Sequence, residues 1–303
     1  MKCAIAQETH VGQRAYNQDR VGHWRTEGAI LLVLCDGMGG HAHGDVAAEL
    51  TMRHIAAAFR RDARPKLPDP DLFLFRAVGR SHPMLLREAQ ALGLPDTPRT
   101  TAVACVIQDG RAHWTHVGDS RLYVLRRGEV LVRTRDHTFV QQLVDDGLIG
   151  PDDAGTHPER NRLLQCLGGA QPPRLQPTAH VRLERDDVLL LCSDGLWGPL
   201  SEPQIVAGLA PDRLAESLAA LAQQALAVAA PESDNVSALA LAWGEDAVPF
   251  RDEAPRAVPA GEASTQAQDL GQTDPDFLRM TDADIERAIA EIKEALKRHN
   301  SGR

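Results

Sequence analysis

Short apolar runs, each closed by Gly, Asp or Ser, recur along this chain. Residues 29–35 (Ala-Ile-Leu-Leu-Val-Leu-Cys) run unbroken into Asp36, and residues 188–192 (Val-Leu-Leu-Leu-Cys) run into Ser193 and Asp194. Residues 100–108 and 112–117 flank Asp109-Gly110, and residues 121–126 and 129–134 flank Arg127-Gly128. An Asp-Gly pair between such runs is a strong β-hairpin signal, because the tight turn needs positive φ at its centre, and Arg127-Gly128 predicts a second hairpin. Residues 236–243 predict a late strand. Ala102 to Ile107 is apolar at odd and even positions alike, so a strand there has to be covered on both faces.

The covering helices are visible in the same pattern. Asp45 to Arg61 carries Val46, Leu50, Ile55, Ala58 and Phe59 at helical spacing. A second helix is predicted from about Asp69 to Ala91, with Leu72, Phe75, Val78 and Leu85 on one face and Pro83 expected to interrupt it. Two more are predicted near Pro203 to Leu209 and from Asp212 to Ala229. Hairpins covered by outer helices predict an α+β fold: an αββα sandwich of two antiparallel sheets flanked by helices. Asp136 to Gly169 separates the two sheet-rich halves. It opens Asp136-His137-Thr138, then reads as a helix over 140–148 and a polar loop over 150–161.

Past residue 245 the pattern changes. Residues 246–280 are rich in Pro, Ala, Gly, Asp and Glu and read as a linker. Residues 281–299 predict an amphipathic helix that starts at Thr281-Asp282-Ala283-Asp284 and places Ile285, Ala288, Ile289, Ile292 and Leu296 on one face. A helix this short is marginal alone, so its stripe is expected to dock on the preceding domain or to mediate partner or self-association.

Composition narrows the classes. Among 303 residues, 25% are charged and 43% hydrophobic, as in soluble globular proteins. The 42 acidic against 33 basic residues give a net charge of −9, which argues against nucleic-acid binding. No stretch approaches the ~20 apolar residues of a membrane span, and the N-terminal residues carry no secretory pattern, so a cytoplasmic location is expected. The 5 cysteines show no paired spacing; Cys3, Cys35, Cys105 and Cys192 lie in apolar runs and read as buried free thiols. Cys105 and Arg111 have the Cys-x5-Arg spacing of a cysteine phosphatase, but the Asp109-Gly110 turn between them is a hairpin and not a phosphate cradle.

Five segments carry the chemistry. They are Arg14-Ala15-Tyr16-Asn17-Gln18-Asp19, Asp36-Gly37-Met38-Gly39-Gly40-His41, Gly118-Asp119-Ser120-Arg121, Ser193-Asp194-Gly195-Leu196-Trp197 and Ser233-Asp234-Asn235. Each alone is a turn signal. Together they set carboxylates at the ends of buried strands, where they would repel one another unless a cation sat among them. Oxygen-only ligands suit Mg²⁺ or Mn²⁺.

In these motifs and their order, residues 1–245 resemble the bacterial metal-dependent protein phosphatases, the PPM family of protein phosphatase 2C type. The resemblance implies the αββα fold and a serine/threonine phosphoprotein phosphatase that opposes a bacterial kinase, with metal-bound hydroxide attacking phosphorus in line. It implies that Asp36 bridges two Mn²⁺ or Mg²⁺ ions, that Gly37 ligates one through its carbonyl, and that Asp194 and Asp234 complete one shell. Asp19 then matches the position that holds metal-bound waters, and Asp119 with Asp194 the pair that can hold a third ion. Arg14 matches the phosphate clamp, which makes Arg14, Asp36 and Asp194 the catalytic set. Residues 136–169 match the flap beside the site. Two departures stand out. Met38 occupies a position where some members carry a His general acid, leaving a metal-bound water, His41 or His43 as candidates, and Gln18 stands where some members have Glu. The alternative is a pseudophosphatase acting as a binding module.

Overall fold

Buried strands that are apolar on both faces organise the whole structure, a computed structural model that describes residues 3–38, 43–91, 93–94, 96–175 and 178–244. The linker expected over 246–280 and the helix expected over 281–299 lie outside the described residues.

Among the described residues, ten strands form two antiparallel sheets. The first contains β1 (Cys3–His10), β6 (Arg121–Arg126), β7 (Glu129–Arg133), β9 (Val188–Cys192) and β10 (Val236–Trp243), in the order β1-β10-β9-β6-β7. The second contains β2 (Asp19–Arg25), β3 (Ala29–Asp36), β4 (Ala102–Gln108), β5 (Arg111–Val117) and β8 (Ala179–Arg182), in the order β2-β3-β4-β5-β8. The sheets stack face to face. Ile30, Leu32 and Leu34 of β3 meet Leu189 and Leu191 of β9 and Leu239 and Leu241 of β10 in the inner core. The alternate residues Leu31, Val33 and Cys35 face outward beneath α1 (Gly44–Asp62) and α2 (Pro70–Ala91). A strand apolar on both faces is thereby buried twice, as the sequence demanded.

The first sheet is covered by α4 (Asp194–Trp197), α5 (Glu202–Gly208) and α6 (Leu214–Ala229). Its strand β10 turns Ala238, Ala240 and Ala242 toward the helices, and these small side chains make room for Leu218, Leu221 and Ala225 of α6. Both predicted two-residue turns are present: Asp109 and Gly110 have φ of 52° and 69°, and Arg127 and Gly128 have 54° and 77°. Positive φ at both positions is the hairpin turn that follows the twist of the strands.

Four differences from the sequence expectation have local causes. The helix expected to break at Pro83 continues through it to Ala91, held by buried Phe73, Leu74, Ala77, Val78 and Leu85 against the second sheet. The helix expected from Asp212 opens as a 3₁₀ turn over Pro211–Arg213 before α6 begins. In the segment 136–169, α3 (Phe139–Asp145) is capped by the Thr138 hydroxyl, and a 3₁₀ helix covers Pro151–Thr156 where loop was expected. Strands β1, β2 and β8 carry polar residues at sheet edges, so their sequences lack the long apolar run that marked the central strands.

The crossover from β8 in the second sheet to β9 in the first is fastened by charge. Arg126, at the end of β6, donates from Nε and Nη2 to the two carboxylate oxygens of the fully buried Asp187 at 2.8 and 2.7 Å, and Asp187 also accepts from the backbone N–H of Glu184. Removing one member of such a pair leaves the other unsatisfied. Asp187→Ala should therefore lower the unfolding free energy by about 3 kcal/mol, read from the urea midpoint; a loss under about 1 kcal/mol would show that the crossover is held by packing alone.

Candidate metal and active site

The register of β2 against β3 sets Asp19 directly opposite Asp36. Like charges in directly opposed positions repel. Asp19 opens its strand and Asp36 closes its own, so both carboxyls sit at one end of the second sheet. The first sheet contributes from the same end. Asp194 is the first residue of α4, two residues beyond β9, and Asp234 lies two residues before β10. Asp119 sits in the turn that carries the chain from β5 in one sheet to β6 in the other, beyond Gly118 with φ 102°. All five predicted carboxylates converge, as their mutual influence records. Burial pushes Asp36 well above the usual carboxylate range, and the charges of Asp19, Asp194, Asp119 and Asp234 push it further. Burial raises Asp19 to about 7 against the opposing hydrogen bonds of Ser193 and Ser237, and raises Asp194 to about 6 with help from Asp234. Asp119 is raised by burial and by Asp194 and Asp136.

Backbone contacts make this crowding rigid. The Asp36 carbonyl accepts from the Thr101 N–H at 2.8 Å and from the Thr100 hydroxyl at 2.8 Å, and its N–H donates to the Thr101 hydroxyl at 3.1 Å. The Ser193 hydroxyl donates to Asp19 at 2.9 Å, tying the two sheets together beside the carboxylates. Asn235 binds the 11–18 loop on three sides: its Oδ1 accepts from the Gln18 N–H, and its Nδ2 donates to the carbonyls of Val11 and Tyr16. Asn17 likewise holds the loop, through Thr9 and the Asp19 N–H. A Cβ on Gly195 would lie 2.0 Å from the carbonyl oxygen of Asn235, and one on Gly37 would lie 2.3 Å from that of Gly44. Neither position can accept a side chain without moving a loop that carries an aspartate.

Arg14 is exposed on the rim, where its Nη2 donates to Asp234 at 2.6 Å. That bond, with the charges of Asp234, Asp194 and Asp36, raises its pKa. Gln18 is buried, and its carbonyl accepts from the Gly37 N–H. Met38 donates its N–H to the Arg99 carbonyl. His43 stands in a left-handed conformation immediately before α1, whereas His41 lies outside the described residues. Cys105 is fully buried in the middle of β4, and burial raises its thiol pKa, so it offers no nucleophile.

Several supporting residues escaped the sequence reading. Arg121 forms a two-pronged pair with Asp136 at 2.9 and 2.7 Å and stacks 3.5 Å above the Trp197 ring, whose Nε1 donates to the Asp119 carbonyl at 3.0 Å. His137, lowered to about 4 by burial and by the stacked His116, accepts from the Gly118 N–H and so anchors the 136–169 segment to the Asp119 turn. These residues stood inside or beside the quoted motifs, but an Arg, Trp or Asn in a turn carries no signal of its partner. The donor set itself is oxygen-only and strained by like charge, which fits hard divalent cations.

Comparison with known proteins gives the arrangement a family. The protein phosphatase 2C profile matches residues 6–233. Serine/threonine protein phosphatase PstP of Mycobacterium tuberculosis is 36% identical over 288 residues, covering 94% of this chain and 51% of PstP. The chain thus spans about half the length of that curated relative. The crystal structure of Mycobacterium tuberculosis PstP/Ppp aligns with a TM-score of 0.71 at 33% identity, covering 80% of this chain and all of the other. A structure described as the PstP catalytic domain in complex with two manganese ions aligns with a TM-score of 0.66 at 34% identity, covering 80% of this chain and 98% of that one. With the profile spanning most of the chain and Asp19, Asp36, Asp119 and Asp194 of the cluster, the chain belongs to the protein phosphatase 2C family.

Proposed function

We propose that this protein is a metal-dependent serine/threonine phosphoprotein phosphatase, with residues 1–245 as its catalytic domain. The observation that carries the reading is the convergence of Asp19, Asp36, Asp119, Asp194 and Asp234 from both sheets, with Arg14 on the rim. Asp36, the Gly37 carbonyl, Asp194 and Asp234 would hold two Mn²⁺ or Mg²⁺ ions, with Asp19 orienting their waters and Asp119 joining Asp194 at a third. The two manganese ions described for PstP support that count. When bound, such ions lower the pKa of a water and neutralise phosphoryl oxygens. The chain itself supplies position. Ser193 holds the Asp19 carboxylate, Thr101 holds the Asp36 backbone, and Arg14 is free to exchange Asp234 for a phosphate once Asp234 serves a cation. Guanidinium and phosphate match in a two-pronged geometry.

The substrates are phosphoserine and phosphothreonine proteins, in line with the name of the relative serine/threonine protein phosphatase PstP, and a bacterial kinase as the source of the phosphate is our own inference. Among the described residues, no helix is long and apolar enough to cross a membrane. Five free cysteines favour the cytoplasm as the working compartment. The segment 246–280 remains our linker and 281–299 our amphipathic helix, which docks on the catalytic domain or mediates partner or self-association, on the strength of sequence alone.

Three measurements test the reading. Turnover of a small aryl phosphate should vanish in chelator and return with Mn²⁺ or Mg²⁺, and Asp36→Asn should lower it by more than about a hundredfold, since even an outer partner of a metal ligand costs about 10–100-fold. Activity that survives chelation would sink the proposal, and a chain inert with every metal would leave the binding-module alternative. The second measurement is stability in chelator. Asp19, Asp36, Asp119 and Asp194 bind protons more readily in the folded chain than unfolded, where Asp titrates near 3.9. Their penalty is therefore absent at low pH and grows as pH rises through the folded values of about 6 and about 7. Chelated wild type should lose thermal stability between about pH 4 and pH 8, and Asp36→Asn should melt higher than wild type at the upper end and equal it at the lower. Third, Arg14→Ala should raise KM about tenfold or more with kcat nearly unchanged, the signature of lost binding shared by ground and transition states. An unchanged KM would return Arg14 to the role of a surface charge.

A further inference from the structure

We propose that Asp71, His113 and His180 form a second metal site, one that takes Zn²⁺ and straps the edge of the second sheet to the first turn of α2. The three residues come from three elements. His113 lies in β5 and His180 in the edge strand β8, where they are directly paired across the ladder. Residues paired in this way project from the same face of a sheet. That face is the one beneath the helices, because Val106, the β4 partner of His113, belongs to the core under α1 and α2. Asp71 lies in the first turn of α2, over the two rings. One ligand atom from each residue lies within 4.8 Å of the others.

The details fit a cation better than a chance cluster. His113 is nearly buried, and its Nδ1 stands 3.0 Å from Asp71 Oδ1. Two ligands of one tetrahedral zinc, each about 2.0–2.1 Å from it, lie roughly 3.3 Å apart. The His113–Asp71 pair, half-buried at Asp71, is thus already at a ligand–ligand separation. His180 supplies the remaining movement: its ring centroid is 5.3 Å from that of His113 and it is exposed, so side-chain rotation can bring its nitrogen in. Asp71 has an outer partner as well. Burial pushes its carboxyl up, but hydrogen bonds from His113 and Thr178 and the neighbouring imidazoles outweigh this and hold it ionised. Outer hydrogen bonds of this kind orient metal-binding carboxylates.

The donor set decides the ion. Two imidazoles and one carboxylate suit Zn²⁺, whereas the five aspartates at the end of the sheets offer only oxygen and suit Mg²⁺ or Mn²⁺. Three protein ligands leave a fourth position for water. The strap has a structural use. β8 has only four residues, mostly exposed, at an open sheet edge. A cation joining it to β5 and α2 would pin an edge that little apolar contact secures.

The test uses the full chain, stripped with chelator and then held in excess Mg²⁺ so that the aspartate cluster is filled. Zn²⁺ is titrated in competition with a chromophoric chelator, for wild type, His180→Ala and Asp71→Asn. We expect wild type to bind one more tight Zn²⁺ equivalent than either variant, with at least about a hundredfold weaker residual affinity in the variants. We also expect Zn²⁺ to raise the melting temperature of wild type but not of His180→Ala. His180 is exposed and outside the aspartate cluster, so its variant should fold and keep Mn²⁺-supported turnover. Equal Zn²⁺ stoichiometry and affinity in wild type and His180→Ala would overturn the proposal and leave a hydrogen-bonded triad only. The readout is zinc bound, so it stands or falls apart from the phosphatase reading.

Discussion

Like charge held at close range is the constraint on which the rest of this structure turns. Asp19 and Asp36 face each other across one ladder, and Asp194, from the start of α4, and Asp234 and Asp119, from loops that lead into the other sheet, are brought against them. Two unit charges 4 Å apart at an effective dielectric near 20 repel by about 4 kcal/mol, comparable to a large part of a domain's net stability. Burial first, and this repulsion with it, raise the carboxyl pKa values, and the chain tolerates the crowding by protonating. It can afford the strain because the site hangs from the ends of fully buried strands. The inner core between the sheets and the two outer cores beneath the helices hold those strand ends in place.

Rigidity close to the carboxylates comes from backbone more than from side-chain packing. Asp36 is gripped through its own N–H and carbonyl by Thr100 and Thr101, which leaves its carboxyl to meet that of Asp194 in the cluster. Gly195 lets the Asp194 turn press against the Asn235 backbone, and Asn235 in turn holds the loop that carries Arg14. Arg121, Asp136, Trp197 and the Asp119 carbonyl form a chain from the root of the 136–169 segment to the cluster.

Strand β5 shows how one element can serve two chemistries. Toward its end it leads through Val117 and Gly118 to Asp119 among oxygen donors. Near its start it presents His113 on the helix-covered face beside Asp71 and His180. The faces and ends of a strand are independent environments because successive side chains point to opposite sides. Hard cations and an imidazole-seeking cation can then be kept apart by ligand type alone.

The sequence by itself determined the central strands, the two hairpin turns and the long helices, because burial on both faces, positive φ and helical spacing are local patterns. It also determined which aspartates to watch, since carboxylates closing buried runs are visible without coordinates, and their order supplied the family resemblance. It could not mark β1, β2 and β8, whose polar edge positions are stabilised only by the neighbours they pair with. It could not foresee that α2 continues through Pro83, because the packing that holds it belongs to the sheet below. Only the tertiary structure decided that Asp19 opposes Asp36, that Ser193 reaches across to Asp19, and that Asp71 meets two histidines more than forty residues away. Such contacts depend on strand register and on how the two sheets and their helices stack, and no local stretch of chain carries that information.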